Sequence, residues 1–217
     1  GMEGKNRILI YNSKLTSTND AISGSDPIKN GVILYQSTSG DADSSTSAVA
    51  DFESVDSTLK TSITSGAMFY VTNTSAKVVL QNTKLKFDSS KVDLIDAVGN
   101  SNNWGTSGSN GGNVTFTARD MTLKGNIKTD SISSVKMYLL DGTKYTGKTT
   151  GSSNVTMNVS KDSTWTVTGN CSVKNLNCAD GGKIVDKDGS TVTIKANGKT
   201  VVKGDSSYTV TVTGSCG

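Results

Sequence analysis

An eight-residue segment near the start of the chain, Ile8-Leu9-Ile10-Tyr11-Asn12-Ser13-Lys14-Leu15, returns almost position for position as Val78-Val79-Leu80-Gln81-Asn82-Thr83-Lys84-Leu85. Looser copies begin at Ala50, Val114, Val135, Val155 and Val192, and the steps 114–135 and 135–155 are 21 and 20 residues. Recurrence at such a period marks a repeat architecture, in which each unit buries its apolar side only by stacking on its neighbours. A second strand type falls between copies of the first. Gly31-Val32-Ile33-Leu34-Tyr35 parallels Gly66-Ala67-Met68-Phe69-Tyr70, with Val92-Asp93-Leu94-Ile95 as a shorter relative. Within a copy the residues alternate: Val114, Phe116 and Ala118 against Thr115, Thr117 and Arg119. Successive side chains on a strand point to opposite faces, so one side fills a core and the other meets water.

A repeat of roughly 20–25 residues accommodates three short strands and their turns, one coil of a parallel β-helix. Helices have little to form from, because β-branched residues dominate the apolar set and Ala/Glu/Leu/Lys runs are absent. Hydrophobic residues make up 33% of the 217, enough for a core. The expected fold is therefore all-β, a right-handed parallel β-helix forming a single domain over residues 1–217. An antiparallel sandwich is the rival, since it would show the same alternation with Asn-Gly or Asp-Gly hairpin turns. Asp141-Gly142, Asp188-Gly189 and Asn197-Gly198 are such pairs. The last two suggest that residues 190–217 form a C-terminal β-hairpin cap over the open end of the stack. Gly1-Met2 reads as an expression scar, which would place any export leader upstream.

The alignment also predicts specific neighbours. Val114, Val135 and Val155 should lie in adjacent coils, and Leu80, Phe116, Met137 and Met157 in equivalent inward positions. Trp165, at strand period in Thr164-Trp165-Thr166-Val167, should be packed inside.

Twenty-two Lys and Arg against nineteen Asp and Glu give a net charge of +3. The positives are nearly all lysines, scattered along strands, which describes a solvated face rather than the Arg-bearing, aromatic-studded patch that nucleic acid requires. No apolar stretch is long enough for a membrane helix. The three cysteines, Cys171, Cys178 and Cys216, fit no zinc spacing and there is no histidine. They read either as buried thiols or as one disulfide tying down the tail through Cys216.

Three low-complexity stretches interrupt the rhythm, at 37–45, 99–112 and 148–153. Loops leaving one face of a repeat scaffold are where binding usually sits. Trp104, flanked by Asn102 and Asn103 and followed by Asn110, offers a flat apolar face for a pyranose ring with amides for its hydroxyls. The opposing reading folds the indole back onto the coil wall. Close acid pairs, Asp41 with Asp43 and Asp93 with Asp96, are hard oxygen donors of the kind calcium takes, although turn chemistry alone also places Asp there. Calcium is the one cofactor these residues suggest.

Catalysis is not expected. Without histidine the commonest general base is missing. Asp93 and Asp96, three apart on a strand, should point to opposite faces rather than converge. Arg119-Asp120 reads as a surface ion pair.

The segments Gly66-Ala67-Met68-Phe69-Tyr70-Val71-Thr72-Asn73-Thr74 and Trp104-Gly105-Thr106-Ser107-Gly108-Ser109-Asn110-Gly111-Gly112-Asn113-Val114-Thr115 resemble secreted bacterial proteins with a right-handed parallel β-helix of the pectate-lyase-like superfamily. Such proteins are described as adhesin-like or carbohydrate-binding. The resemblance covers roughly residues 30 to 170 and lacks the superfamily's catalytic motifs. It implies a non-catalytic, secreted or cell-surface module that binds a polysaccharide or glycan, with no nucleic-acid partner and no membrane insertion. The alternative it leaves is a polysaccharide lyase or glycoside hydrolase of the β-helix class.

Overall fold

The computed structural model describes residues 1–18, 29–37 and 49–217. Its strands come in triplets. The first holds β1 (Met2–Glu3), β2 (Arg7–Tyr11) and β3 (Lys14–Ser17); the second β4 (Val32–Tyr35), β5 (Val49–Val55) and β6 (Thr58–Thr61). The third and fourth are β7 (Ala67–Thr72), β8 (Thr74–Gln81) and β9 (Lys84–Lys86), then β10 (Asp93–Ala97), β11 (Gly112–Arg119) and β12 (Thr122–Lys124). Next come β13 (Ile127–Thr129), β14 (Ser134–Leu140) and β15 (Lys144–Gly147), then β16 (Thr149–Gly151), β17 (Val155–Val159) and β18 (Thr164–Val167). The chain ends with β19 (Cys171–Val173), β20 (Asn175–Cys178), β21 (Lys183–Val185), β22 (Thr193–Ala196), β23 (Lys199–Val202) and β24 (Thr209–Val212).

From β1 to β21, strands three apart pair in parallel, except β9 with β12 and β16 with β19. A first sheet runs β1-β4-β7-β10-β13-β16 and a second β2-β5-β8-β11-β14-β17-β20. The third side is divided into β3-β6-β9 and β12-β15-β18-β21. Parallel pairing of strands a triplet apart fits a β-solenoid and leaves no room for a sandwich, which needs antiparallel hairpins.

The registers decide the expected neighbours. Val114 faces Val135, which faces Val155, and Phe116, Met137 and Met157 form the next inward row. Ile8 and Val78 share one row through Phe52, so the opening eight-residue match is a true structural repeat. Leu80, however, pairs with Ala118, and Phe116 pairs with Val78. The expected alignment is thus two residues out at that point, as it is where Val32 pairs with Phe69 rather than Ala67. A slip of two keeps every side chain on its proper face, so alternation cannot detect it. The segment at 148–153 also departs from expectation: its threonines form β16 rather than a loop.

One continuous core lies between the sheets. Phe52, Phe69 and Phe116 meet edge to face, with centroids 5.9 and 5.2 Å apart. Trp165 is fully buried as expected, stacked on Tyr145, and its indole N–H donates to the Gly147 carbonyl at 3.0 Å. Met2 is buried in this core and pairs with Leu34. At the corner after each of the first four second-sheet strands the chain turns through one left-handed residue, Asn12, Asp56, Asn82 and Asp120, and after the fifth through Asp141 followed by Gly142, the Asn and Asp φ values lying between 42° and 53°. Asn and Asp tolerate that conformation best among residues with a Cβ, which is why these two types recur there.

At the C-terminal end β22 and β23 form an antiparallel hairpin through Asn197-Gly198, both at positive φ. Strand β24 then inserts in parallel between β19 and β22. Val192 therefore leads into this end sheet and not, as the repeat suggested, into another copy of the second-sheet strand. Among the described residues all three cysteines are free thiols. Burial raises the pKa of Cys171 and of Cys178, the latter helped by Asp180 and the neighbouring Cys216.

Candidate functional site

Residues 99–111 leave the first sheet after β10 and fold into a stapled loop. The Asn100 carboxamide oxygen accepts from the backbone N–H of Asn102 and Trp104 at 3.1 and 3.2 Å, while its nitrogen donates to the Thr72 hydroxyl and the Trp104 carbonyl. Asn110 is buried and donates to the Asn100 and Trp104 carbonyls at 2.8 and 2.9 Å. Its amide is committed to the loop, so it is a staple and not the sugar contact expected from sequence. Asn103 is exposed in a left-handed conformation, φ 62°, and Asn102 is half-buried.

Trp104 stands between the two readings offered for it. One face stacks on Tyr35, centroids 4.7 Å apart and planes 22° from parallel, yet the residue keeps part of its surface in solvent. The stack holds the indole in one orientation while leaving an edge for a ligand.

The acid pair on β10 is not arranged as period two demands. Leu94 and Ile95 are both buried, and both donate to the Asn126 carbonyl, at 2.8 and 3.3 Å. This bulge resets the alternation, and Asp93 and Asp96 converge instead of pointing apart. Gly125 stands opposite, where a Cβ would lie 2.9 Å from the Leu94 nitrogen. Asp96 is only 9% exposed and one of its carboxyl oxygens has no partner. Burial, then a hydrogen bond and repulsion from Asp93, push its pKa up to about 8, against a smaller opposing pull from Lys128. Tyr70, its register partner, is likewise raised, first by burial and further by Asp96 and Asp130.

Among the described residues no group of three or more His, Cys, Asp or Glu gathers as a metal site. A calcium ion takes six to eight oxygens. Asp93 and Asp96, one of them holding its proton near neutral pH, form a poor nucleus for it. Asp41 and Asp43 lie outside the described residues. Arg119 pairs with Asp141 at 3.0 Å rather than with Asp120, which occupies a corner position.

Sequence reading missed one surface. Between β9 and β12 the third side opens into a groove of about 870 Å³, lined by Lys14, Lys84 and Lys124, by Asp56 and Asp120, and floored by Leu85 and Phe87. Its residues come from four triplets and are 38 positions apart across the gap, Lys84 to Thr122, so no local motif announces it.

No protein-family model matches the chain, and no curated protein or solved structure is significantly similar to it. No helix among the described residues is long and apolar enough to cross a membrane.

Proposed function

We propose that this chain is a non-catalytic polysaccharide-binding module, adhesin-like and displayed outside the cell, whose sheets wind as one right-handed parallel β-helix of the pectate-lyase-like kind. The observation that carries the reading is the partly exposed Trp104, braced on Tyr35 in a loop pinned by Asn100 and Asn110. A rigid aromatic edge loses little conformational entropy on binding, and the adjoining Asn102 and Asn103 amides suit sugar hydroxyls. A repeat scaffold adds further polar contacts along a polymer, outward Thr117, Tyr138, Asn158 and Asn177 standing in one second-sheet row. Affinity electrophoresis through gels containing dextran, xylan or mannan tests it. Retardation by at least one polymer, lost in Trp104→Ala, is expected; migration unchanged in all of them removes the reading.

One observation favours a second reading, a glycoside hydrolase. Asp96 keeps its proton near neutral pH, the property of a general acid, and its hydrogen bond to Asp93 would have to open to admit a glycosidic bond between the two carboxyls. Release of reducing ends from any of these polymers, abolished by Asp96→Asn, would establish it over the first.

A further inference from the structure

We infer that the third side of the stack is a second binding surface, separate from the Trp104 platform, for a linear acidic polysaccharide.

The seven strands of that side read KLTS, TLKT, KLK, TLK, KYTG, TWTV and KIV. They carry lysines and not one acid. The registers convert this composition into rows. Lys14, Thr58 and Lys84 face one another in turn, as do Thr122, Lys144, Thr164 and Lys183. A second row holds Thr16, Lys60 and Lys86, continued by Lys124, Thr146 and Thr166. Lysines scattered in the sequence are thus collected on one side.

Strands stack about 4.8 Å apart, so an ammonium on every second strand recurs at about 9–10 Å with a hydroxyl between. Like charges directly opposite would repel, and the intervening threonines keep most of these lysines two strands apart. Lys14, Lys60, Lys84, Lys86, Lys124, Lys144 and Lys183 are all exposed. The ion pairs found among the described residues are Arg7–Asp51 and Arg119–Asp141, so none of these ammoniums is neutralised at close range.

The chemistry of the border chooses the polymer. Asp56 and Asp120 at the corner would repel a chain made only of phosphates, but they accept hydrogen bonds from sugar hydroxyls while the lysines hold carboxylates or sulfates. Leu85 and Phe87 on the groove floor suit the C–H faces of the rings. Nucleic acid would call instead for arginines and a series of stacking aromatics along the track, whereas the groove lining has no arginine and Phe87 as its one aromatic.

The test measures binding of the whole chain to alginate, hyaluronate, dextran and duplex DNA at low and high salt. Wild type should bind an acidic polymer with an affinity that falls steeply with salt, while dextran does not compete. Lys84→Ala/Lys124→Ala should weaken that binding at least tenfold with an unchanged circular dichroism spectrum, and Trp104→Ala should leave it intact. Failure of the Trp104 reading alone would show as neutral polymers that the wild type does not bind, or that Trp104→Ala still binds, while alginate binding is retained. The inference is overturned if neither acidic polymer binds at low salt, if the double lysine variant binds as wild type does, or if DNA binds as tightly as alginate.

Discussion

The seven strands of the second sheet pair residue for residue from β2 to β20, whereas the first sheet, drawn from the same triplets, carries a bulge, a stapled loop and a buried acid. The difference lies in the connections that join the strands. The first four second-sheet strands each end at a single left-handed Asn or Asp and reach the third side within two residues, and the fifth turns through the left-handed pair Asp141-Gly142. First-sheet strands are entered or left through longer connections, and these can lie over the sheet's outer face, as residues 99–111 do on Thr72 and Tyr35. Regularity provides the scaffold; the irregular sheet gathers the unusual chemistry. Loops on a rigid frame are the common location of binding groups for the same reason.

The largest effect should come from attacking the packing that the two sheets share. Phe116 belongs to the second sheet, is fully buried, and meets Phe69 of the first edge to face at 5.2 Å. Phe116→Ala should cost about 3–5 kcal/mol, the usual penalty for emptying an aromatic site in a core. Urea unfolding measures it. A loss below about 1 kcal/mol would mean that the sheets do not depend on each other there.

The next effect separates the sheets by pH. A carboxyl whose folded-state pKa is raised ionises more readily in the unfolded chain, so the native state is favoured most at low pH and loses that advantage as pH climbs from the unfolded value through about 8. Stability should therefore fall by about 2–4 kcal/mol between pH 5 and pH 9, allowing for partial hydration of the pair. Asp96→Asn should flatten most of that slope, and Glu53→Gln, on the second sheet, should not. A slope unaffected by Asp96→Asn would relocate the titrating group.

How far the sequence could anticipate this structure tracks the same division. The second sheet obeys period two, so the rows through Val114, Val135 and Val155 are readable from spacing alone. Phase is not: Leu80 sits one inward position further along its row than expected, because a slip by two residues leaves the pattern unchanged. The convergence of Asp93 and Asp96 is hidden, since a bulge breaks the very periodicity used to assign faces, and only the position of Gly125 opposite hints at it. Trp104 is recognisable as unusual, but Tyr35 as its stacking partner is not, being remote in sequence. The lysine rows are invisible for a related reason: residues that look scattered become neighbours only once the register is known.

A smaller effect probes the staple. Asn110→Ala removes two hydrogen bonds and takes its donor from the Asn100 carbonyl, while the Trp104 carbonyl keeps the Asn100 amide, a loss of about 1–3 kcal/mol at a site this buried. In a chain of this size that corresponds to a melting temperature lower by roughly 2–10 °C. Ser134→Ala, at the start of a second-sheet strand where the hydroxyl bonds to exposed Asn113, should change little. Equal losses would mean that the loop is no more specialised than any strand end.

The smallest stability effect is expected at the residue with the largest proposed functional one. Trp104 buries one face on Tyr35 and leaves the rest of its surface partly hydrated, so truncation removes a stacking contact worth about 0.5–1.5 kcal/mol and part of its apolar burial, without opening a cavity in the core. The Asn100 and Asn110 bonds that shape the loop reach the Trp104 backbone, not its indole, and persist in Trp104→Ala. The variant should therefore melt within a few degrees of wild type, in contrast to Phe116→Ala, while its retardation in a polysaccharide gel disappears. Trp104→Phe keeps a flat ring over Tyr35 and should restore the melting temperature and part of the retardation. A fall in melting temperature as large as that of Phe116→Ala would show that the indole belongs to the first sheet's packing, and the loop would then lose its claim as the platform.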